Sequence, residues 1–141
     1  MKLQLKVLIS IFLVIGIFSA SQNFIYSQTI QEKEKKVELL SHKVETGGER
    51  SDKFIGQVHN MINKNVAYVT IIGTFYDASG KMIGSKSTYS EPSNLKPNMT
   101  APFEMLLDEN ISKNIASYDV TITWRYPGES EKHSNVYGLN Q

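Results

Sequence analysis

Tyr118-Asp119-Val120-Thr121-Ile122-Thr123-Trp124-Arg125-Tyr126 alternates apolar and polar residues without a break. Tyr118, Val120, Ile122, Trp124 and Tyr126 fall on one face; Asp119, Thr121, Thr123 and Arg125 fall on the other. Successive side chains of a strand point to opposite faces, so this stretch reads as a strand with one side on a core and the other in water. The apolar face is expected to pack against Phe54, Val58, Val69, Ile71 and Phe103. A stripe of large aromatics in a sandwich ordinarily fills the core. An exposed, sugar-stacking Trp124 is the rival reading.

The same period of two recurs on the N-terminal side, broken by turn residues about every ten positions, the pattern of an all-β sandwich or barrel. Val37 to Val44 reads as the first strand. In Phe54 to Asn60, Phe54, Gly56 and Val58 share a face opposite Gln57 and His59. Asn63-Lys64-Asn65 turns the chain into Val66 to Phe75, where Val69, Ile71, Gly73 and Phe75 form one row and Tyr68, Thr70, Ile72 and Thr74 the other. Asp77-Ala78-Ser79-Gly80 is a turn, because Asp can bond the backbone two residues on and Gly takes positive φ. Lys81 to Ser90 is polar and reads as an edge strand, with Lys81 and Lys86 guarding it against unwanted pairing. Asn94 to Asn98 turns into Thr100 to Leu107, where Phe103 and Met105 flank Glu104. Ile111 and Ile115 stand at helical spacing, so one helical turn is expected between Asp108 and Ser117. The count is six or seven strands and almost no helix.

Three features together resemble the FxLYD family of exported immunoglobulin-like domains. They are Gly56-x-Val58-x-Asn60, Thr74-Phe75-Tyr76-Asp77 followed by Gly80, and Leu95-x-Pro97 leading into Phe103. The chain departs from the name-giving motif, with Gly73 where the first aromatic would sit and Phe75 in place of Leu. The resemblance implies an Ig-like antiparallel β-sandwich with an adhesive, scaffolding or sensory role, and it carries no catalytic residues. Physically these are folding positions. Gly56 admits a close aromatic, Asn60 satisfies backbone groups where the strand breaks, and Pro97 fixes φ and stops pairing.

At the N-terminus, Met1 to Lys6 supplies two positive charges and Val7 to Phe18 is a twelve-residue apolar run. Ser19-Ala20-Ser21 then offers short side chains. Positive start, short apolar run and small-residue exit are the parts of a secretory signal. The run is shorter than the roughly 18–20 residues that span a bilayer comfortably, which favours cleavage over retention as a signal anchor. The expected organisation is a signal peptide or anchor at 1–21, a polar linker at 22–36, the sandwich at 37–126 and a C-terminal tail at 127–141.

Composition narrows the function. The 141 residues carry 15 basic and 14 acidic side chains and no cysteine. Thiol catalysis, Cys-ligated zinc, disulfides and a lipid-bearing Cys are excluded. Charges are interspersed, and no basic stretch is interleaved with aromatics, so nucleic acid is not an expected partner. The histidines, His42, His59 and His133, are three. His42 and His59 are expected on outward faces of neighbouring strands, without a carboxylate at ligand spacing, so no metal site is assigned. No Gly-x-Ser-x-Gly elbow occurs, and Asp77 to Gly80 lacks the alternating oxygens of a calcium loop. No catalytic residue and no cofactor is assigned. Asn98-Met99-Thr100 and Asn110-Ile111-Ser112 are sequons, acceptors of N-glycans where the exporting cell glycosylates.

The expectation is a non-enzymatic extracytoplasmic interaction or structural module, secreted or held at the membrane by its N-terminal segment. Its partner would be another envelope or extracellular protein, met at the edge strand Lys81 to Ser90. The alternative is a small-ligand or carbohydrate-binding domain using Tyr68, Tyr76 and Tyr89 on outward faces. An enzyme is a third reading, for which no acid–base or nucleophile set stands out.

Overall fold

The computed structural model describes residues 36–48 and 51–140. The chain divides into the units Met1–Glu34 and Lys35–Gln141, and the described residues belong to the second. The leader at 1–21 and linker residues 22–35 lie outside them. Among the described residues no helix is long and apolar enough to cross a membrane.

Among the described residues seven strands and one helical turn follow in order: β1 Val37–Glu45, β2 Lys53–Asn60, β3 Ala67–Tyr76, β4 Met82–Tyr89, β5 Thr100–Leu106, α1 Glu109–Ser112, β6 Ser117–Arg125 and β7 His133–Asn140. They form two antiparallel sheets, ordered β1-β2-β5 and β4-β3-β6-β7. The two sheets share one core. From β6 it takes Tyr118, Val120, Ile122 and Trp124, all buried, with Tyr126 packed against it. Phe54, Val58, Val69, Ile71 and Phe103 are buried in the same cluster, as the alternation predicts. Phe54 meets Phe75 and Tyr118 edge-on, at ring-centroid distances of 5.9 and 5.0 Å, the arrangement that aligns positive ring edges with negative faces. Trp124 is therefore core, and the sugar-stacking reading of its stripe is set aside.

β4 lies at the edge of its sheet, where its polar character put it. The expected helical turn is α1, and its Ile111 is buried. The two lysines of the edge are not both guards, however. Lys86 is paired with Asp108 at 2.8 Å.

Two expectations change. Residues 127–141, read as a tail, contain β7, which pairs with β6 over eight uninterrupted register positions. Its sequence is too polar to announce a strand; the backbone ladder to β6 supplies the pairing instead. The second change is His42, expected to point outward. β1 slips register between Leu39 and Ser41. One extra residue there moves the inward set from odd to even positions. Val37 and Leu39 reach the core before the bulge, and Val44 after it, while the His42 ring meets Tyr118 and Phe54. The bulge also explains Gly56. A Cβ at Gly56 would stand 2.1 Å from the Ser41 carbonyl oxygen and 2.7 Å from the Phe103 ring, closer than any side chain tolerates.

Candidate functional site

The family-motif residues sit in the framework. Val58 and Phe75 are fully buried and Phe103 nearly so. Asn60 is fully buried and acts as a clamp. Its Nδ2 donates to the carbonyls of Lys64, Leu95 and Lys96 at 2.9, 3.2 and 3.1 Å, and its Oδ1 accepts from the Ile62 N–H at 2.9 Å. The Asn60 carbonyl also accepts the Asn98 N–H at 2.8 Å. One amide thereby ties the β2 exit to the loop holding Pro97, which is exposed. Asn98, exposed at φ +63°, and Asn110, exposed on α1, are the two sequon positions. Asp77 builds the expected turn. Its Oδ1 accepts from the Ser79 N–H, the Ser79 hydroxyl and the Lys81 N–H at 2.9, 2.6 and 3.0 Å, and Gly80 takes φ +80°. These hydrogen bonds to the ionised form, that from the Ser79 hydroxyl foremost, hold the Asp77 carboxyl below the ordinary aspartate value.

The histidines are apart and individually engaged. His42 Nδ1 lies 2.6 Å from the Tyr118 hydroxyl, His59 Nδ1 lies 2.8 Å from the Thr100 hydroxyl, and His133 stacks on Trp124 at 6.1 Å. Burial raises the Tyr118 phenol above its ordinary value. Among the described residues no three His, Cys, Asp or Glu side chains are grouped to hold a metal ion.

The outward face of the four-stranded sheet is different in character. Because Val69, Ile71 and Phe75 point inward, their neighbours on β3 point out, and the register aligns them in rows across β4, β3, β6 and β7. The first row is Tyr89, Thr70, Thr123 and Ser134; the second is Ser87, Ile72, Thr121 and Val136; the third is Ser85, Thr74, Asp119 and Gly138. Hydroxyl groups dominate this face. Tyr76 closes the face at its far end. It donates its hydroxyl to Asp119 Oδ2 at 3.1 Å, which chiefly raises its phenol above the ordinary value.

At the near end the first row opens into a concavity of about 190 Å³ lined by Tyr68, Thr70, Tyr89, Thr123, Arg125 and Lys132, with Trp124 behind them. Tyr68 and Tyr89 are 62% and 58% exposed. Tyr68 occupies the left-handed region at φ +54°, where a bulky non-glycine residue is a genuine outlier. The cause is local. Between Ala67 and Thr70, β3 carries one residue more than its partner β6, and Tyr68 absorbs the excess. The Tyr68 N–H donates to Asn94 Oδ1 at 3.2 Å, the Thr70 hydroxyl donates to the Tyr68 carbonyl at 3.0 Å, and the flanking Val69 N–H donates to the Ser93 carbonyl at 2.8 Å. Val66 and Leu95 exchange a pair of bonds at 2.9 Å just before it. The bulge is pinned from both sides.

The ion pairs among the described residues are Lys43–Glu45, Lys53–Glu104, Lys86–Asp108 and Lys113–Glu109. Arg125 and Lys132 belong to none of them and stand at the concavity without a carboxylate partner among the described residues. Of the three outward tyrosines named from sequence, the structure thus brings Tyr68 and Tyr89 together and leaves Tyr76 at the opposite end. Arg125 was legible as an outward residue of β6; Lys132 was not, since it precedes a strand the alternation does not reveal.

A larger concavity of about 660 Å³ lies over the three-stranded sheet, lined among others by Ser41, Lys43, Ile55, Gln57, Glu91 and Glu104. Its charges are of mixed sign and Lys43 is taken up by Glu45, so no group of one chemistry converges there. No protein-family model matches the chain, and no curated protein matches it in sequence.

Proposed function

We propose that this is a non-enzymatic binding module of the cell envelope, exported behind its N-terminal segment and binding through the Tyr68–Tyr89 end of the four-stranded sheet. The observation that carries the reading is Tyr68. Backbone strain at a bulky residue costs about 1–3 kcal/mol and persists where the surroundings over-determine it, commonly at functional positions. Here the Ser93 carbonyl, the Asn94 side chain and the Thr70 hydroxyl hold the backbone of Tyr68 and Val69 so that an aromatic ring stands in water rather than in the core. The groups beside it suit recognition. The Thr70 hydroxyl is already donated to a carbonyl, and among the described residues neither histidine nor carboxylate lines the concavity to act as a base.

We read the architecture as immunoglobulin-like. Orders β1-β2-β5 and β4-β3-β6-β7 correspond to strands A-B-E facing C′-C-F-G, and this supports the resemblance to exported FxLYD-type domains. Binding on an exposed sheet face then needs nothing beyond a rigid sandwich and a set of outward side chains.

The test is retention of the protein on washed envelopes of the cells that make it. Tyr68→Ala with Tyr89→Ala should release it while leaving thermal unfolding cooperative. Unchanged retention of the double variant refutes the assignment of the face.

A further inference from the structure

We infer that the Tyr68–Tyr89 concavity receives an anionic sugar unit of a glycan, an inference that rests on the reading of this face as the binding face. Size comes first. About 190 Å³ is room for roughly six waters at about 30 Å³ each. It falls below the roughly 300 Å³ at which pockets for drug-sized ligands begin. One ring-sized polar unit fits, and the rest of a polymer would lie on the open rows beyond.

Chemistry comes second. Two exposed phenol rings offer flat apolar faces with polar tips, which suit a sugar ring that is apolar on its C–H faces and polar at its rim. Thr70 and Ser87 on the adjoining rows keep acceptor lone pairs for sugar hydroxyls. A neutral sugar would leave Arg125 and Lys132 unanswered. A carboxylate or phosphate answers both, and the planar guanidinium of Arg125 matches either group with two parallel hydrogen bonds. The positive charge is local. Glu129 and Glu131 stand in the turn that carries Lys132, and Asp119 lies two rows away, so the site takes one anionic group at a time. An anionic lipid surface fits poorly, because Ile72 and Val136 are the aliphatic side chains on the first three rows and the rest are mainly hydroxyls.

Calorimetric titration of the protein purified from its own cells decides the matter, at low salt. The probes are an oligogalacturonate, a sugar-phosphate oligomer, an uncharged galactan oligomer of equal length, oligoglutamate, and phosphatidylglycerol vesicles. One or both anionic glycans should bind at least about tenfold tighter than galactan, weakening as salt rises. Arg125→Gln should cost about tenfold, the worth of one charge-assisted hydrogen bond, and Tyr68→Ala should abolish binding. Anionic glycans binding no tighter than galactan, binding unaffected by Arg125→Gln, or preference for oligoglutamate or vesicles each overturns the inference. Failure of the glycans while the double tyrosine variant still loses the envelope would sink the ligand class and spare the face. Retention by that variant would sink both.

Discussion

Replacing Tyr68 separately by glycine and by alanine tests whether the head of β3 stores strain. Tyr68 lies at φ +54°, where an L side chain costs about 1–2 kcal/mol and glycine nothing. Both replacements remove the same ring, 62% exposed, so the modest burial it gives up largely cancels in the comparison. In an ordinary strand glycine is less stable than alanine by about 0.5–1 kcal/mol, through the freedom it gains when unfolded. At position 68 alanine keeps the strain and glycine sheds it. The difference of these two quantities leaves glycine the more stable by about 0.5–1 kcal/mol, a reversal of the usual sign. For a domain of this size that is roughly 2–5 °C in Tm. The assay is a pair of urea titrations with matched slopes, so that a midpoint difference reports stability alone. Alanine more stable than glycine by the ordinary margin would refute strain at Tyr68, and with it the observation on which the binding face rests. Both variants lack the ring, so both should lose envelope retention, which separates binding from stability.

Asn60→Ala removes the four hydrogen bonds of this side chain and takes the acceptor from the buried Ile62 N–H, while the Leu95 and Lys96 carbonyls keep the N–H groups of Val66 and Met99, so it should cost about 3–4 kcal/mol at roughly 1 kcal/mol per bond; a cost under about 1 kcal/mol in urea unfolding contradicts the clamp. Asn60→Asp should be at least as damaging, since a carboxylate would face three carbonyl oxygens where the amide now donates. Asp77, whose folded-state carboxyl is held below the ordinary value, contributes stability that is present above the unfolded-state value near 4 and lost as pH falls through the lower folded one. The Tm advantage of wild type over Asp77→Asn should therefore shrink on acidification, and a gap constant from neutral pH to about pH 2 contradicts the turn's electrostatics.

What the sequence determined by itself is what depends on side chains within one strand or one turn. The inward row from Tyr118 to Trp124 was legible because burial repeats every second residue, and neighbouring positions record it directly. Asp77 to Gly80 was legible because its bonds run between residues at most four apart. The polar edge strand β4 was legible because an edge tolerates a composition that a central strand does not. Tertiary structure decided everything that rests on pairing between distant segments. One unpaired residue near Leu40 turned His42 from the outward face to the neighbourhood of Tyr118, and no local pattern marks where a register slips. β7 exists because β6 offers it a ladder, so its own composition says little. The concavity gathers Tyr68, Tyr89, Arg125 and Lys132 from three strands and a turn. Their meeting depends on the bulge at Tyr68 and on cross-strand alignment, both properties of backbone pairing, which alternation along a single chain does not encode.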